Sequence, residues 1–334
     1  IAENKAETMT DIEQPASPMA KAHEKLPQLV DKIGESLLGQ STVIEQVVVA
    51  MFAGGHVLLE GVPGLGKTLL VRVLANTFNG KFKRIQFTPD LMPSDVTGHA
   101  LFDMKEGKFR VRQGPIFTNL LLADEINRAP AKTQASLLEV MQEKTVTIEG
   151  STHQVPLPFM VLATQNPLEQ EGTYPLPEAE LDRFLIKVVI DYPSEQDEVA
   201  LTQLVTKNTS DDPHSENDKP LLSAEEVQEI QNLINAVTVD DQVVNYAVRL
   251  VRATRENAAI RQGAGPRASI ALVRCARVLA ILKGRDFVLP DDIKAMIKPV
   301  MRHRIILAAD AEIDGLTPDD MLDLLLNQVE APRL

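Results

Sequence analysis

A glycine-rich stretch at residues 61–68 has the residue types and spacing of a phosphate-binding loop. It reads Gly61, Val62, Pro63, Gly64, Leu65, Gly66, Lys67 and Thr68, which matches G-x-x-x-x-G-K-[ST] at every fixed position. Glycines here let backbone N–H groups surround phosphate oxygens at the start of a helix. The Lys67 ammonium is expected to reach the terminal phosphates, and the Thr68 hydroxyl to ligate Mg²⁺. The stretch therefore predicts a site for ATP or ADP and magnesium.

Two adjacent carboxylates, Asp124 and Glu125, end an apolar run that begins at Asn119. Their plain interpretation is a buried strand whose acids cap the following helix. In a chain that also has a phosphate-binding loop, the two acids favour a role in ATP hydrolysis over a role in capping. Asp124 would hold the magnesium shell through water, and Glu125 would orient and polarise the attacking water as general base. A second adjacent acid is typical of a nucleotidase that hydrolyses, whereas a kinase passes phosphate to a substrate.

Three further polar residues join the candidate site. Asn166 follows an apolar run at residues 159–164 and could bond the attacking water or the γ-phosphate, because ligand groups lie at the carboxyl ends of parallel strands. The alternative is a turn-forming Asn-Pro pair. Arg183 and Arg267 would each, taken alone, be a surface charge with a salt-bridge partner. Their order and spacing after the other sites favour a functional role for both.

Short apolar runs must position these residues. Five predicted strands, at residues 56–60, 82–87, 119–123, 159–164 and 186–190, alternate with helices such as 67–78 and 132–144. This alternation predicts an α/β fold with a parallel sheet covered on both faces. Residues 101–112 and 145–156 alternate around Glu-Gly pairs, and we expect them to form two β-hairpins that project from the sheet.

Composition changes along the chain predict the domain boundaries. Residues 1–24 form a flexible tail, 25–206 the α/β nucleotide-binding core, and 207–220 a polar linker with almost no apolar residues. A capping box at residues 223–226 then opens an all-helical domain over 221–334, with helices at 239–257, 267–283 and 290–306.

Charge and composition exclude several function classes. The 334-residue chain has a formal net charge of −13, which argues against a broad nucleic-acid-binding face. Its single cysteine, Cys275, rules out an internal disulfide and a cysteine-cluster metal site. We expect Cys275 to be a small core residue and His56 to be structural. The sequence has neither an apolar run of bilayer length nor a secretory signal at its start, so we expect a cytoplasmic protein without a membrane span.

Several longer segments resemble AAA+ ATPases and, within that superfamily, the MoxR group. Besides the phosphate loop they are RIQFTPDLMPSD at 84–95, DEINRAP at 124–130, ATQNP at 163–167, PLPEAELDRF at 175–184 and GPRAS at 265–269. The resemblance covers roughly residues 25–330. The two expected hairpins match the helix-2 and pre-sensor-1 insertions of the branch that includes magnesium chelatase and MCM helicase subunits.

The resemblance implies a role for each remaining site residue. Asn166 would be sensor 1. Arg267 would be sensor 2, carried by the helical lid and touching the γ-phosphate, and Arg183 would be the arginine finger inserted into a neighbouring subunit's site. Leu38, Gly39 and Gln40 fall where such proteins contact adenine. A ring is implied as well, with a hexamer as the default.

Three functions agree with these features. The first is a ring-forming, chaperone-like ATPase that remodels or activates a protein partner or inserts its cofactor, the partner in such families often bearing a von Willebrand factor A domain. The second is a DNA-remodelling motor of the MCM type, which needs basic hairpin tips, whereas the tips here are Glu106-Gly107 and Glu149-Gly150. The third is a nucleotide-gated scaffold, against which Glu125 argues.

Overall fold

The computed structural model describes residues 17–61, 64, 66–165, 172–207 and 219–333. Two short 3₁₀ helices, Ile126–Arg128 and Ile234–Ala236, accompany the longer elements. The α-helices are α1 (Pro18–Gly34), α2 (Ser41–Phe52), α3 (Lys67–Asn76), α4 (Pro93–Thr97), α5 (Ala131–Glu143), α6 (Glu178–Leu181), α7 (Glu195–Lys207), α8 (Ala224–Leu233), α9 (Asp241–Glu256), α10 (Pro266–Leu282), α11 (Pro290–Met301), α12 (Ala309–Ile313) and α13 (Pro318–Gln328). The strands are β1 (Val57–Gly61), β2 (Phe82–Gln86), β3 (Gly98–Asp103), β4 (Lys108–Gln113), β5 (Leu120–Asp124), β6 (Thr145–Ile148), β7 (Ser151–Gln154), β8 (Met160–Gln165), β9 (Ile186–Ile190), β10 (Ile260–Gln262) and β11 (Ile306–Leu307).

A five-stranded parallel sheet forms the centre of the fold, in the order β2-β5-β8-β1-β9. Both its faces are covered, as the apolar strand β5 shows. Leu120 and Leu122 pack into one apolar cluster with α1, α2, α3 and the C-terminal helices. Leu121 and Ala123 point to the other face and pack with α5 and the hairpins. The predicted α/β fold with a covered parallel sheet is therefore confirmed, and it brings the carboxyl ends of β1, β5 and β8 together.

Both predicted hairpins are present, formed by β3 with β4 and by β6 with β7. At the base of the first, the chain segments approach so closely that only glycine fits. A Cβ on Gly98, whose φ is +99°, would lie 2.3 Å from the Arg112 carbonyl oxygen, and one on Gly114 would lie 2.3 Å from the Val96 carbonyl oxygen. These contacts close the base of the hairpin and direct it away from the sheet.

The C-terminal part is not entirely helical, which corrects the sequence prediction. Ile260 and Leu307, both buried, pair antiparallel in the short β10–β11 ladder. The helix predicted over 290–306 accordingly ends at Met301, because the chain beyond it turns to meet β10. The capping box at Ser223 is present, with the Ser223 hydroxyl accepting from the Glu226 N–H and the Glu226 carboxylate accepting from the Ser223 N–H.

The N-terminal tail is shorter than the sequence indicated. Helix α1 begins at Pro18, and Ala22 and Leu26 on it are fully buried against the C-terminal helices, so residues 18–24 belong to the fold. The tail up to residue 16 and most of the predicted linker, residues 208–218, lie outside the described residues. None of the helices in the described ranges combines the length and the apolar character needed to span a bilayer.

A buried arginine joins the C-terminal helices to the sheet. The Arg304 side chain is only 4% exposed, and its Nε donates to Asp182 Oδ1 at 2.7 Å. Its Nη2 donates to the Phe184 carbonyl at 2.8 Å and its Nη1 to the Leu185 carbonyl at 2.9 Å, just before β9 begins. Arg304 thus fixes the segment that precedes β9.

Replacing Arg304 should lower the free energy of unfolding. In Arg304→Lys the single ammonium cannot reach all of these acceptors, so buried carbonyl and carboxylate oxygens lose their donors. We expect the free energy of unfolding to fall by about 3 kcal/mol, as when one partner of a buried pair is removed. Urea denaturation followed by circular dichroism measures it. The control is Arg252→Lys, because the Arg252 side chain is 62% exposed and lies 3.8 Å from Glu256. For this variant we expect the free energy of unfolding to fall by less than about 0.5 kcal/mol. A loss below about 1 kcal/mol in Arg304→Lys would contradict this role.

Candidate active site

The phosphate loop connects β1 to α3, as predicted. Gly64 and Gly66 have φ angles of +87° and +79°, a left-handed backbone that favours glycine. Gly66 is the N-cap residue of α3 and has no side chain to cap the first N–H groups, which stay available for an anion. Val62, Pro63 and Leu65 lie outside the described residues.

Lys67 is the first residue of α3, and its Nζ donates to the Gly61 carbonyl at 2.9 Å. Burial lowers the pKa of its ammonium, and the negative charges of Asp124 and Glu125 act in the opposite direction. The ammonium is therefore only partly solvated, and an anionic ligand beside it would favour its charged form.

Asp124 lies at the carboxyl end of β5 with both carboxylate oxygens engaged. Its Oδ1 accepts from the Thr164 hydroxyl at 2.6 Å. Its Oδ2 accepts from Arg84 Nη2 at 2.6 Å and from Arg84 Nε at 3.1 Å. Thr164, on the neighbouring strand β8, also accepts from the Glu125 backbone N–H at 2.8 Å. One hydroxyl thus positions both acids.

Glu125 has a left-handed backbone, with φ +54° and ψ +52°. A non-glycine residue in this region stores strain, which is often found at functional sites. Glu125 follows the last residue of β5, and its Oε2 accepts from Gln86 Nε2 at 2.9 Å and from Arg128 Nη1 at 3.2 Å.

These residues line one cavity of about 480 Å³ at the carboxyl ends of the strands. The lining residues are Gly61, Gly64, Gly66, Lys67, Thr68, Leu69, Arg72, Arg84, Gln86, Asp124, Glu125, Thr164 and Gln165. The set fits a magnesium nucleotide, since an ammonium and the N-terminus of α3 face the same space as the Thr68 hydroxyl and the Asp124 carboxylate. Magnesium needs few protein oxygens when phosphates supply others. No cluster of three or more His, Cys, Asp or Glu side chains suited to a metal occurs in the described part of the chain.

Asn166 directly follows β8 but lies outside the described residues. The described end of β8, Thr164 and Gln165, lines the cavity. The predicted role of Asn166 remains a prediction.

Arg183 and Arg267 lie together in a different cavity, of about 360 Å³. Arg267 Nη1 is 3.5 Å from Asp182 Oδ2. Arg183 Nε is 2.9 Å from Glu180 Oε2, and its Nη1 donates to the Leu138 carbonyl at 3.0 Å. Neither residue lines the phosphate cavity of its own chain. The implied contact of Arg267 with the γ-phosphate remains a prediction.

The residues expected near adenine contribute to a third cavity, of about 530 Å³. Gly39 and Gln40 line it together with Tyr192, which follows β9, and Arg302 from the C-terminal part. Leu38 is half-buried and is not among its lining residues. The assignment of all three to the nucleotide base stays a prediction.

The residues expected to be structural are so. His56 is buried, and its Nδ1 accepts from the Val161 N–H at 2.9 Å while Nε2 lies 3.0 Å from the Met141 carbonyl. Burial lowers its pKa to about 4, so the ring is neutral at pH 7. Cys275 is fully buried in the core, and burial raises its pKa to about 12.

Four site residues were missed from the sequence, namely Arg84, Gln86, Arg128 and Thr164. Arg84 and Gln86 alternate with the buried Ile85 on β2, so they share one face of the strand next to β5. That alternation could have identified them had the strand order been known. For Arg128 and Thr164, proximity to the two acids along the chain and across the sheet was the available signal.

Comparison with known proteins identifies the family. A family model described as "ATPase family associated with various cellular activities (AAA)" matches residues 56–186, and an AAA lid domain model matches residues 252–324. The chain is 40% identical to "Chaperone MoxR1" of Mycobacterium tuberculosis over 328 residues, which cover 96% of this chain and 85% of that protein. It is 34% identical to "Protein MoxR" of Methylorubrum extorquens over 325 residues, covering 90% and 93%.

A solved structure agrees with these relatives. The crystal structure of a Cytophaga hutchinsonii protein superimposes with a TM-score of 0.87 at 41% sequence identity, covering 95% of this chain and 97% of that one. Sequence similarity over nearly the whole length thus accompanies the same fold. The chain belongs to the MoxR family of AAA+ ATPases.

Proposed function

We propose that this ATPase hydrolyses magnesium-bound ATP in a site that two copies of the chain build together, and that the turnover remodels a protein client. One observation carries the shared site. The phosphate loop and the two acids line one cavity, whereas Arg183 and Arg267 line another with no residue in common. The catalytic set predicted from the sequence is therefore divided between two surfaces of one chain.

Within the phosphate cavity each side chain has a distinct task. Lys67 and the N–H groups at the start of α3 bind the phosphates. Thr68 and Asp124 would hold Mg²⁺, which supplies neutralisation of phosphate charge. Glu125 accepts a proton from the attacking water. Its backbone is left-handed, and the residue lines the cavity. Asn166 would orient the same water from the adjacent strand end.

A neighbouring copy would supply the arginines. Arg267 is 66% exposed, and its 3.5 Å contact with Asp182 is loose, so its guanidinium can exchange that partner for a phosphate. Such a contact between a phosphate surface on one copy and an arginine surface on the next is heterologous, and repeated contacts of this kind close into a ring. A hexamer is the form that the family resemblance favours.

The first hairpin supports a protein client. Its side chains Phe102, Met104 and Phe109 are exposed, the last by 71%, and the two phenylalanine rings meet edge to face at 5.2 Å. Exposed apolar groups of this kind suit contact with a polypeptide. One relative is named "Chaperone MoxR1", and we extend a chaperone-like role to this chain. A cytoplasmic location and a partner with a von Willebrand factor A domain are what the family resemblance favours.

A DNA motor of the MCM type is less well supported. The short basic run at residues 302–304, which reads Arg-His-Arg, is engaged inside the protein, since Arg302 forms an ion pair with Asp319 at 2.9 Å and Arg304 binds Asp182. His303 is buried as well, with Nε2 2.9 Å from the Phe184 carbonyl. DNA binding that weakens steeply with salt would favour this alternative.

Substitution of Glu125 by Gln tests hydrolysis against a nucleotide-gated scaffold. Because Gln cannot accept the proton, we expect turnover to fall about 10²- to 10³-fold while ATP still binds. Phosphate release and binding of a fluorescent ATP analogue measure the two quantities. Glu149→Gln is the control, since Glu149 also has a positive φ, of +46°, but lies in a hairpin turn. Persistent turnover in Glu125→Gln would show that another group is the base.

A mixing experiment tests the shared site. Lys67→Ala lacks the phosphate contact and Arg267→Ala lacks the exposed arginine, so each alone should turn over ATP slowly. In a 1:1 mixture of a heterologous ring, about a quarter of the interfaces combine an intact phosphate surface with an intact Arg267. We therefore expect activity to return to about a quarter of the wild-type rate. A mixture no more active than its components would show that Arg267 acts within its own chain. Arg252→Ala serves as the control arginine and should keep full activity.

A further inference from the structure

The acid assigned to the magnesium shell is already paired with a cation of its own chain. Arg84 contacts Asp124 Oδ2 through both Nη2, at 2.6 Å, and Nε, at 3.1 Å. With the Thr164 hydroxyl on Oδ1, protein donors occupy both carboxylate oxygens. A guanidinium that places two N–H groups on one carboxylate forms a strong, charge-assisted contact.

The sheet register explains why Arg84 reaches this acid. Gln86 lies opposite Asp124 in the parallel ladder of β2 and β5, and Arg84 lies two residues earlier on the same face of β2. Its long side chain therefore extends along the strand towards the carboxyl end. Lys83, the preceding residue, is exposed and alternates to the opposite face.

Two cations cannot both be close partners of the same carboxylate without repelling each other. At 4 Å, two unit charges in a partly solvated site interact by about 4 kcal/mol, which is large beside the worth of an exposed ion pair. Magnesium bound through Asp124 would therefore displace Arg84 from Oδ2. The Arg84 side chain is about half exposed, so the released guanidinium can turn towards solvent.

We propose that Arg84 is a positioning residue that acts as the counter-ion of Asp124 before magnesium binds and competes with the metal for that carboxylate. This inference rests on the proposed magnesium nucleotide site. Without metal, Arg84 cancels the charge of Asp124 and lets a metal-free nucleotide enter the cavity. With metal, Arg84 gives up Asp124, whose charge the metal then neutralises.

Nucleotide binding without turnover tests this competition. We would measure the dissociation constant of a fluorescent ADP analogue for the full chain in EDTA and in excess Mg²⁺. In Arg84→Gln, the unpaired charge of Asp124 should weaken binding in EDTA, while the loss of the competitor should preserve or strengthen binding in Mg²⁺. The ratio of the EDTA to the Mg²⁺ constant is expected to rise about 5-fold, a modest effect because Arg84 is 49% exposed.

Two further variants separate this role from general charge loss. Lys83→Gln removes the same charge from the other face of β2 and should keep the wild-type ratio. Arg84→Lys keeps the charge but cannot place two N–H groups on the carboxylate, so its ratio should lie between those of the wild type and Arg84→Gln. Equal weakening in both buffers in Arg84→Gln would overturn the proposal, because Arg84 would then be a plain phosphate contact. A wild-type chain that binds the analogue in neither buffer would instead refute the proposed nucleotide site.

Discussion

The buried contact between Arg304 and Asp182 fixes the chain segment beside which the two candidate arginines lie. Arg304 is almost completely buried and donates to the Asp182 carboxylate and to four backbone carbonyls, including those of Phe184 and Leu185. A guanidinium in such a place is stable only while its acceptors hold their positions, because an unpaired buried charge is costly. The contact thus fixes the chain just before β9 and joins it rigidly to the C-terminal helices.

The two candidate arginines, Arg183 and Arg267, line a different cavity from the phosphate loop. Asp182 pairs with Arg304 through Oδ1 and with Arg267 through Oδ2, and the next residue along the chain is Arg183. Both candidate arginines therefore lie next to the Arg304–Asp182 contact. The phosphate loop, by contrast, leaves the sheet at the end of β1, where it faces Asp124 on β5. The two cavities share no lining residue. Assembly with a second copy, as proposed above, would unite them and would make turnover depend on neighbours.

Sequence reasoning predicted the sheet and the phosphate cavity because both arise from local patterns. The apolar run ending at Asp124 and the glycines before Lys67 specify a strand and a loop within a few residues. Their meeting then follows from parallel pairing, which places all carboxyl ends at one edge. The position of Arg267 was not predictable in this way, because it depends on packing between residues more than 80 apart, such as Asp182 with Arg304. The β10–β11 pair escaped detection since Ile306–Leu307 is too short to show alternation.

In the proposed site, the charged side chains of the phosphate cavity would exchange their protein partners for a bound ligand. In the structure each charged group has a protein partner: Lys67 has the Gly61 carbonyl, Asp124 has Arg84, and Glu125 has Arg128. An isolated charge in a half-enclosed cavity is unfavourable, so these pairs preserve the arrangement before any ligand arrives. In the proposed site, a polyanion with a divalent cation would break several of these pairs and replace each with a ligand contact. Because the Thr164 hydroxyl bonds both acids, release of one pair would alter the support of the other. The proposed site would therefore respond to the complete magnesium nucleotide more strongly than to either component alone.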